Sequence, residues 1–336
     1  MTVSKSFLIL AAFLALGAQT TQEPEPQVTI RKQVDLVLVD LLLTDARGDT
    51  LKGLRSKDVE LLDENAPQEI VHFSQDEIPL AIALVVDVSG SMQPGMEPLR
   101  KGLIRALPSL KAEDRAALFS FEGSSKLHVK LTHDFDKIGK KIAGFRAAGW
   151  TNINDAVYEA AKYLQEEAPQ ARRVVLLVSD AFPTVDGKKP VQEELLVSEA
   201  ALFVIRVPLW IDDKYYHREH LTQLASMGIA LDVGRLRIVD DLAAASGGLV
   251  MDVKRPEGIQ PSVEHMIQML KTRYTLGFYP NPKGTPGSVR RIDLQLKNVA
   301  IGRGMPGTIL AFRNRYRVPP EPTKPSRRPR EDQKQP

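Results

Sequence analysis

The chain contains no cysteine, which excludes disulfides, thiolate chemistry and lipid attachment through a cysteine. Histidine is scarce, six residues in 336, and His72, His128, His133 and His265 each stand alone. His217 and His220 lie one helical turn apart, the spacing of a transition-metal chelate. No third His or Cys lies nearby and the segment is highly polar, so a solvated helix face is expected. There is no P-loop, and no G-x-S-x-G elbow or S-x-x-K pair in a suitable setting, which removes the usual phosphate-binding and serine-nucleophile machinery. With no nucleophile or base in view, catalysis is not expected. Charge of one sign is also missing: 45 basic and 42 acidic residues leave +3, which makes no demand for nucleic acid.

Long apolar runs are absent too. Lys5 precedes an apolar run from Phe7 to Leu16, and Gly17 and Ala18 follow. The run is too short to span a bilayer and has the pattern of a secretory signal over residues 1–18. It predicts a secreted or periplasmic protein with no transmembrane span in the mature chain; the rival reading is an uncleaved N-terminal anchor. Apolar residues at 43% and charged residues at 26% are ordinary for a folded protein, and 336 residues allow a core domain plus small appendages.

After the linker EPEPQ, residues 27–77 carry β-branched and aliphatic segments broken by the turn signals ARGD and DENAPQ. No room exists for crossover helices, so these strands should be antiparallel. From Pro79 the rhythm changes. The run LAIALVVDV suits a strand buried on both faces, and Leu99, Leu103, Leu107 and Leu110 follow on one helical stripe. RAALFSF, RRVVLLVSD and ALFVIRV are further strands, KLHVKLTHD alternates like an edge strand, and Asp134 is placed to cap a helix. Helical segments alternate with them. The pattern predicts an α/β fold, a doubly wound, Rossmann-like, mostly parallel sheet over residues 79–275. Trp210 to Asp241 reads as a surface insertion. Residues 276–318 return to strands, with TILAFRNRYRV read as one, and the proline-rich, charged residues 319–336 should be disordered. The two flanking strand segments, each too small to bury a core, are expected to join in one small antiparallel β subdomain.

In such sheets ligands bind beyond the carboxyl ends of the strands. LVVDVSGSMQ ends a buried strand there, with Asp87, Ser89 and Ser91 spaced by two so that their oxygens can converge, and with Gly90 relieving crowding between the serines. Carboxylates, hydroxyls and water form the ligand set of a hard divalent cation. Taken alone, the three residues are better read as an Asx or Ser turn capping the next helix.

DVSGS resembles the D-x-S-x-S signature of the von Willebrand factor type A domain, whose metal-ion-dependent adhesion site adds a threonine and an aspartate from separate loops. GWTNINDAV supplies Thr151 opening a helix, and VVLLVSDAF supplies Asp180 at the end of a buried strand. The resemblance implies the metal site Asp87, Ser89, Ser91, Thr151 and Asp180, with Trp150 and Gly90 on the partner-binding rim. It further implies a divalent cation, magnesium first with manganese or calcium as alternatives, and a protein partner presenting an Asp or Glu carboxylate to the ion. Thr151 can cap its helix alongside that role, and Asn152 and Asp155 read as helix-start residues. Trp150 and Ala181 stand where relatives commonly have glycine. The flanks on both sides are similar to secreted bacterial proteins described as VWFA-related, of the acidobacterial type. Two other readings stay open: a metal-independent module of the cell envelope that binds through the β subdomain, and, less favoured, a hydrolase using the ion as a Lewis acid.

Overall fold

The computed structural model describes residues 36–45, 48–75, 78–181, 189–207, 233–297 and 309–318. The expected signal segment, the His217–His220 pair and the expected tail lie outside those residues, as does most of the expected insertion. Among the described residues no helix is long and apolar enough to cross a membrane.

The central sheet contains β5 (Leu80–Asp87), β6 (Arg115–Phe121), β7 (Ser125–Thr132), β8 (Arg172–Ser179), β9 (Ala201–Arg206) and β10 (Val250–Asp252), in spatial order β10-β9-β8-β5-β6-β7. Every pairing is parallel except that of β7 with β6. β5 is central, and all eight of its residues are buried, as its unbroken apolar run requires. Its side chains alternate between two cores. Leu84 and Val86 face one layer with α1 (Met96–Ala106), α2 (Phe135–Ile142) and α6 (Ile259–Lys271), through Leu99, Ile138 and Met266. Ala83 and Val85 face the other, with α3 (Ile153–Glu167), α4 (Val191–Ser198) and α5 (Val233–Ala245), through Val157, Leu195 and Leu242. Helices on both faces of a mostly parallel sheet make the fold doubly wound.

Four short strands precede this sheet, β1 (Val37–Thr44), β2 (Val59–Asp63), β3 (Ala66–Gln68) and β4 (Ile70–Ser74), and four follow it, β11 (Tyr274–Phe278), β12 (Val289–Leu296), β13 (Ile309–Phe312) and β14 (Arg315–Arg317). They interleave into two antiparallel sheets, β13-β1-β11-β4 and β14-β12-β2-β3. The sheets share one core: Val39, Leu41 and Leu43 of β1 meet Leu61, Leu276, Ile292 and Tyr316. Leu42, on the opposite face of β1, belongs instead to the core of α1 and α6, so β1 ties the antiparallel part to the central sheet's helices.

The flanking segments join around one core, as expected: β11 lies between β1 and β4, and β2 pairs with β12, because strands this short need partners to bury a face. Two expectations change in detail. The anticipated boundary at residue 275 falls inside β11. TILAFRNRYRV is two strands in different sheets, broken at Arg313 and Asn314, where Arg313 bridges instead to Ser246.

Candidate functional site

β5 ends at Asp87 between β6 and β8, with Asp87 opposite Phe121 and Val86 opposite Val178. The chain beyond is stitched to its neighbours by the backbone. Val88 N–H donates to Phe121 O (3.1 Å), and Ala148 N–H donates to Val88 O (2.7 Å). Gly90 N–H donates to Gly149 O (3.1 Å), and Trp150 N–H to Glu122 O (3.4 Å). The loops after β5 and β6 and the loop before α3 thus form one surface. Thr151 lies in the third of these loops and is buried, and Asp180, directly after β8, is buried as well.

Asp87 is fully buried and held at both oxygens. Oδ1 accepts from Ser89 N–H (2.8 Å), and Oδ2 accepts from the Ser179 hydroxyl (2.5 Å). Ser179 Oγ in turn accepts from Ala181 N–H (2.9 Å), so one serine couples the ends of β5 and β8. Burial, reinforced by the negative charge of Asp180, pushes the Asp87 carboxyl up to about 7 against the lowering effect of these hydrogen bonds. Two carboxylates that raise each other's cost of ionisation mark a place where a cation would be welcome. Ser89 and Ser91 share a hydrogen bond with their hydroxyl oxygens 3.0 Å apart. The chain therefore brings the two serines together as their spacing implied, with Asp87 anchored beneath them.

The Asp87 Oδ1 bond to Ser89 N–H is an Asx turn, as the alternative reading expects, but Ser89 makes no side-chain cap of the 3-10 turn Gly90–Gly95. In α3 the Oδ1 of Asn152 accepts from Asp155 N–H (3.3 Å). The N-cap of α3 is therefore Asn152 and not Thr151, which directly precedes it. Asn152 and Asp155 are helix-start residues as expected.

Glycine is required at a different position from the one the sequence suggested. Gly90 does not adopt a positive φ, and a Cβ there would meet only Gly149 O at 3.4 Å, an ordinary contact. Gly149 has φ +73°, and a Cβ would come within 2.7 Å of Glu122 O. It lets the third loop approach closely enough to receive the Gly90 hydrogen bond. Ala181, where glycine was the commoner expectation, does sit at φ +58° in the left-handed region. Trp150 stands out from this surface with 47% of its area exposed. Sequence reasoning missed Ser179, although its place directly before Asp180 at the end of β8 was the available signal.

Residues 82–182, which hold all three loops and the ends of β5, β6 and β8, match the family model described as von Willebrand factor type A domain. This chain carries a von Willebrand factor type A domain. The chain is also similar to inter-alpha-trypsin inhibitor heavy chain H4 of Bos taurus, 31% identical over 146 residues, covering 39% of this chain and 16% of that protein. The Homo sapiens heavy chain H4 is 28% identical over 195 residues, covering 53% of this chain and 19% of that protein. The chain thus spans less than a fifth of the length of these relatives. Among solved structures, a von Willebrand factor type A protein from Catenulispora acidiphila aligns with TM-score 0.46 and 11% identity over 85% of this chain and 73% of that one. The open conformation of the pilus adhesin SpaC from Lactobacillus rhamnosus GG aligns with TM-score 0.45 and 12% identity over 80% and 49%.

The five residues singled out in the sequence, Asp87, Ser89, Ser91, Thr151 and Asp180, offer only oxygen atoms at the strand ends, two carboxylates and three hydroxyls. Among the described residues no group of three or more His, Cys, Asp or Glu side chains is placed to hold a metal ion.

Proposed function

We propose that Ser89, Ser91 and Thr151 hold a divalent cation, with Asp87 and Asp180 behind them, and that the ion joins this protein to a carboxylate of a protein partner. Support comes first from the Ser89–Ser91 pair. Adjacent ligand oxygens of one hard divalent cation lie roughly 3 Å apart, in a magnesium octahedron and in the higher-coordinate shell of calcium alike. The two hydroxyl oxygens, 3.0 Å apart through their shared hydrogen bond, can both reach one such ion. Asp87 has both oxygens occupied by donors from Ser89 and Ser179, so it serves best as a buried counter-charge acting through water. Neutral hydroxyls nearest the ion leave its charge incompletely balanced, and a Glu or Asp of the partner completes its shell. Trp150, exposed beside Thr151, and Gly90 form the rim against which that partner packs, an aromatic contact being a frequent interface anchor.

With the export that residues 1–18 predict, the partner is a secreted or periplasmic protein and the role is adhesion or assembly. The test is capture from an envelope extract by the immobilised protein with magnesium, with chelator, and with the Asp180→Ala protein. Capture that disappears under both changes supports the proposal. Capture that persists under both shifts the contact to a metal-independent surface such as the antiparallel sheets and ends it.

A further inference from the structure

At the opposite end of the central sheet, where β8 and β9 begin, a solvent-open cavity of about 310 Å³ lies between the parallel sheet and strands β1 and β11. Four guanidinium groups line it, Arg172, Arg173, Arg273 and Arg313, against two carboxylates, Asp40 and Glu199. The carboxylates are already used. Asp40 pairs with Arg172 (Nε to Oδ2, 2.9 Å) and accepts from Thr275 Oγ1 (3.1 Å). Glu199 is shared between Arg173 (3.3 Å) and Arg313 (2.7 Å).

Arg273 is left over. It is 1% exposed, its Nη2 donates to Gly247 O (2.7 Å), and its guanidinium carbon lies 5.4 Å from the Phe203 ring centroid. Its Nε and Nη1 are buried without a hydrogen-bond partner among the described residues, and it forms no ion pair there. Arg313 Nε is likewise without a hydrogen-bond partner. Burial, and secondarily Arg172, pull the Arg273 guanidinium down to about 10, an effect Asp40 only partly offsets. A buried guanidinium with two idle donors is costly unless an acceptor reaches it, and here an open cavity adjoins it.

We propose that this cavity is a binding site for a tetrahedral oxyanion of the phosphate or sulfate class, received by Arg273 and Arg313. Such an ion supplies the acceptor oxygens and the negative charge that the four arginines lack, and the planar forks of arginine suit it. The cavity has room for a small group attached to the anion. The site is separate from the strand-end loops, and cation binding there is not required for it.

The experiment is calorimetric titration of the full chain with inorganic phosphate, sulfate and glycerol 3-phosphate at constant ionic strength set with chloride. The variants are Arg273→Met and Arg313→Gln, with the exposed Arg105→Gln on α1 as control. Saturable binding of one oxyanion per chain, weakened at least tenfold by Arg273→Met or, should that protein not fold, by Arg313→Gln, and unchanged by Arg105→Gln, is the expected result. Tighter binding of glycerol 3-phosphate than of phosphate would identify an organic phosphate as the ligand. No saturable binding of any of the three, or binding unaffected by the two cavity substitutions, overturns the proposal.

Discussion

Ser179 donates a 2.5 Å hydrogen bond to Asp87, fastening the carboxyl ends of the two strands that bear the candidate site. The bond lies in the interior, where both partners are fully buried. Removing the hydroxyl leaves Asp87 Oδ2 without its donor, which costs about 1–3 kcal/mol. Ser179→Ala is therefore expected to lower the melting temperature by several degrees and to weaken cation binding, although Ser179 is not among the proposed ligands. Thermal melts with and without magnesium measure both effects, and a melting temperature equal to that of the parent would show the bond to be idle.

Ala181 follows in the left-handed region and is fully buried. An L-residue there costs roughly 1–2 kcal/mol. Ala181→Gly would relieve this while forfeiting a buried methyl, worth about 0.8 kcal/mol, and adding chain entropy to the unfolded state. The expected stability change is within about 1 kcal/mol of zero. Ala181→Val, branched at Cβ where the backbone tolerates it least, is expected to lose several times that amount in denaturant titration. Equal stability for the two variants would contradict the account.

What the sequence revealed and what it concealed follow from the range of the interactions. Leu80–Val86 announced a strand buried on both faces because seven successive apolar residues permit little else, and Asp134 announced its helix because a cap is a local bond, here to Lys137 N–H at 2.9 Å. The approach of Ser89 to Ser91 beside Asp87 was legible in their spacing, but that spacing alone fits a turn, and only the resemblance to the von Willebrand factor type A signature, with Thr151 and Asp180, pointed to a cation site. Ser179 was not, since its value depends on β8 lying beside β5. Gly149 was overlooked for Gly90 because the backbone it must clear, at Glu122, is distant in sequence. Arg172 and Arg173 of β8, Arg273 before β11 and Arg313 after β13 are brought to one cavity by three different parts of the fold, and no local pattern marks the set.

Tyr316 of β14 donates to Asp63 of β2 (3.0 Å), and Arg290 of β12 reaches the same carboxylate (2.9 Å). This fully buried acid joins the N-terminal and C-terminal strands; burial of the Tyr316 phenol, then the charge of Asp63 and the hydrogen bond to it, push that phenol well above its usual range. Tyr316→Phe removes a hydrogen bond to a charged group and is expected to destabilise by about 1.5–3 kcal/mol. The urea midpoint should fall accordingly with little change in slope; an unchanged midpoint would refute the expectation.

Asp40 carries a pH prediction. Burial raises its carboxyl, but Arg172 and Arg273, with a hydrogen bond from Thr275, outweigh burial and hold it below the usual carboxylate range. A depressed acid contributes stability above its unfolded value and loses it as pH falls through its folded value. The Asp40 contribution is therefore complete at neutral pH and fades below about pH 4. Asp40→Asn should melt lower than the parent at pH 7, with the gap closing towards pH 2. A gap independent of pH would contradict the pairing.

The central claim, that the strand-end oxygens bind a divalent cation, is tested most directly by calorimetric titration of the metal-free protein with manganese and magnesium, beside Asp87→Ala and the double variant Ser89→Ala, Ser91→Ala. One ion per folded chain, with binding lost in both variants while each keeps the parent's circular dichroism, is the predicted result. Absence of binding by the folded parent, or undiminished binding by the variants, would contradict it.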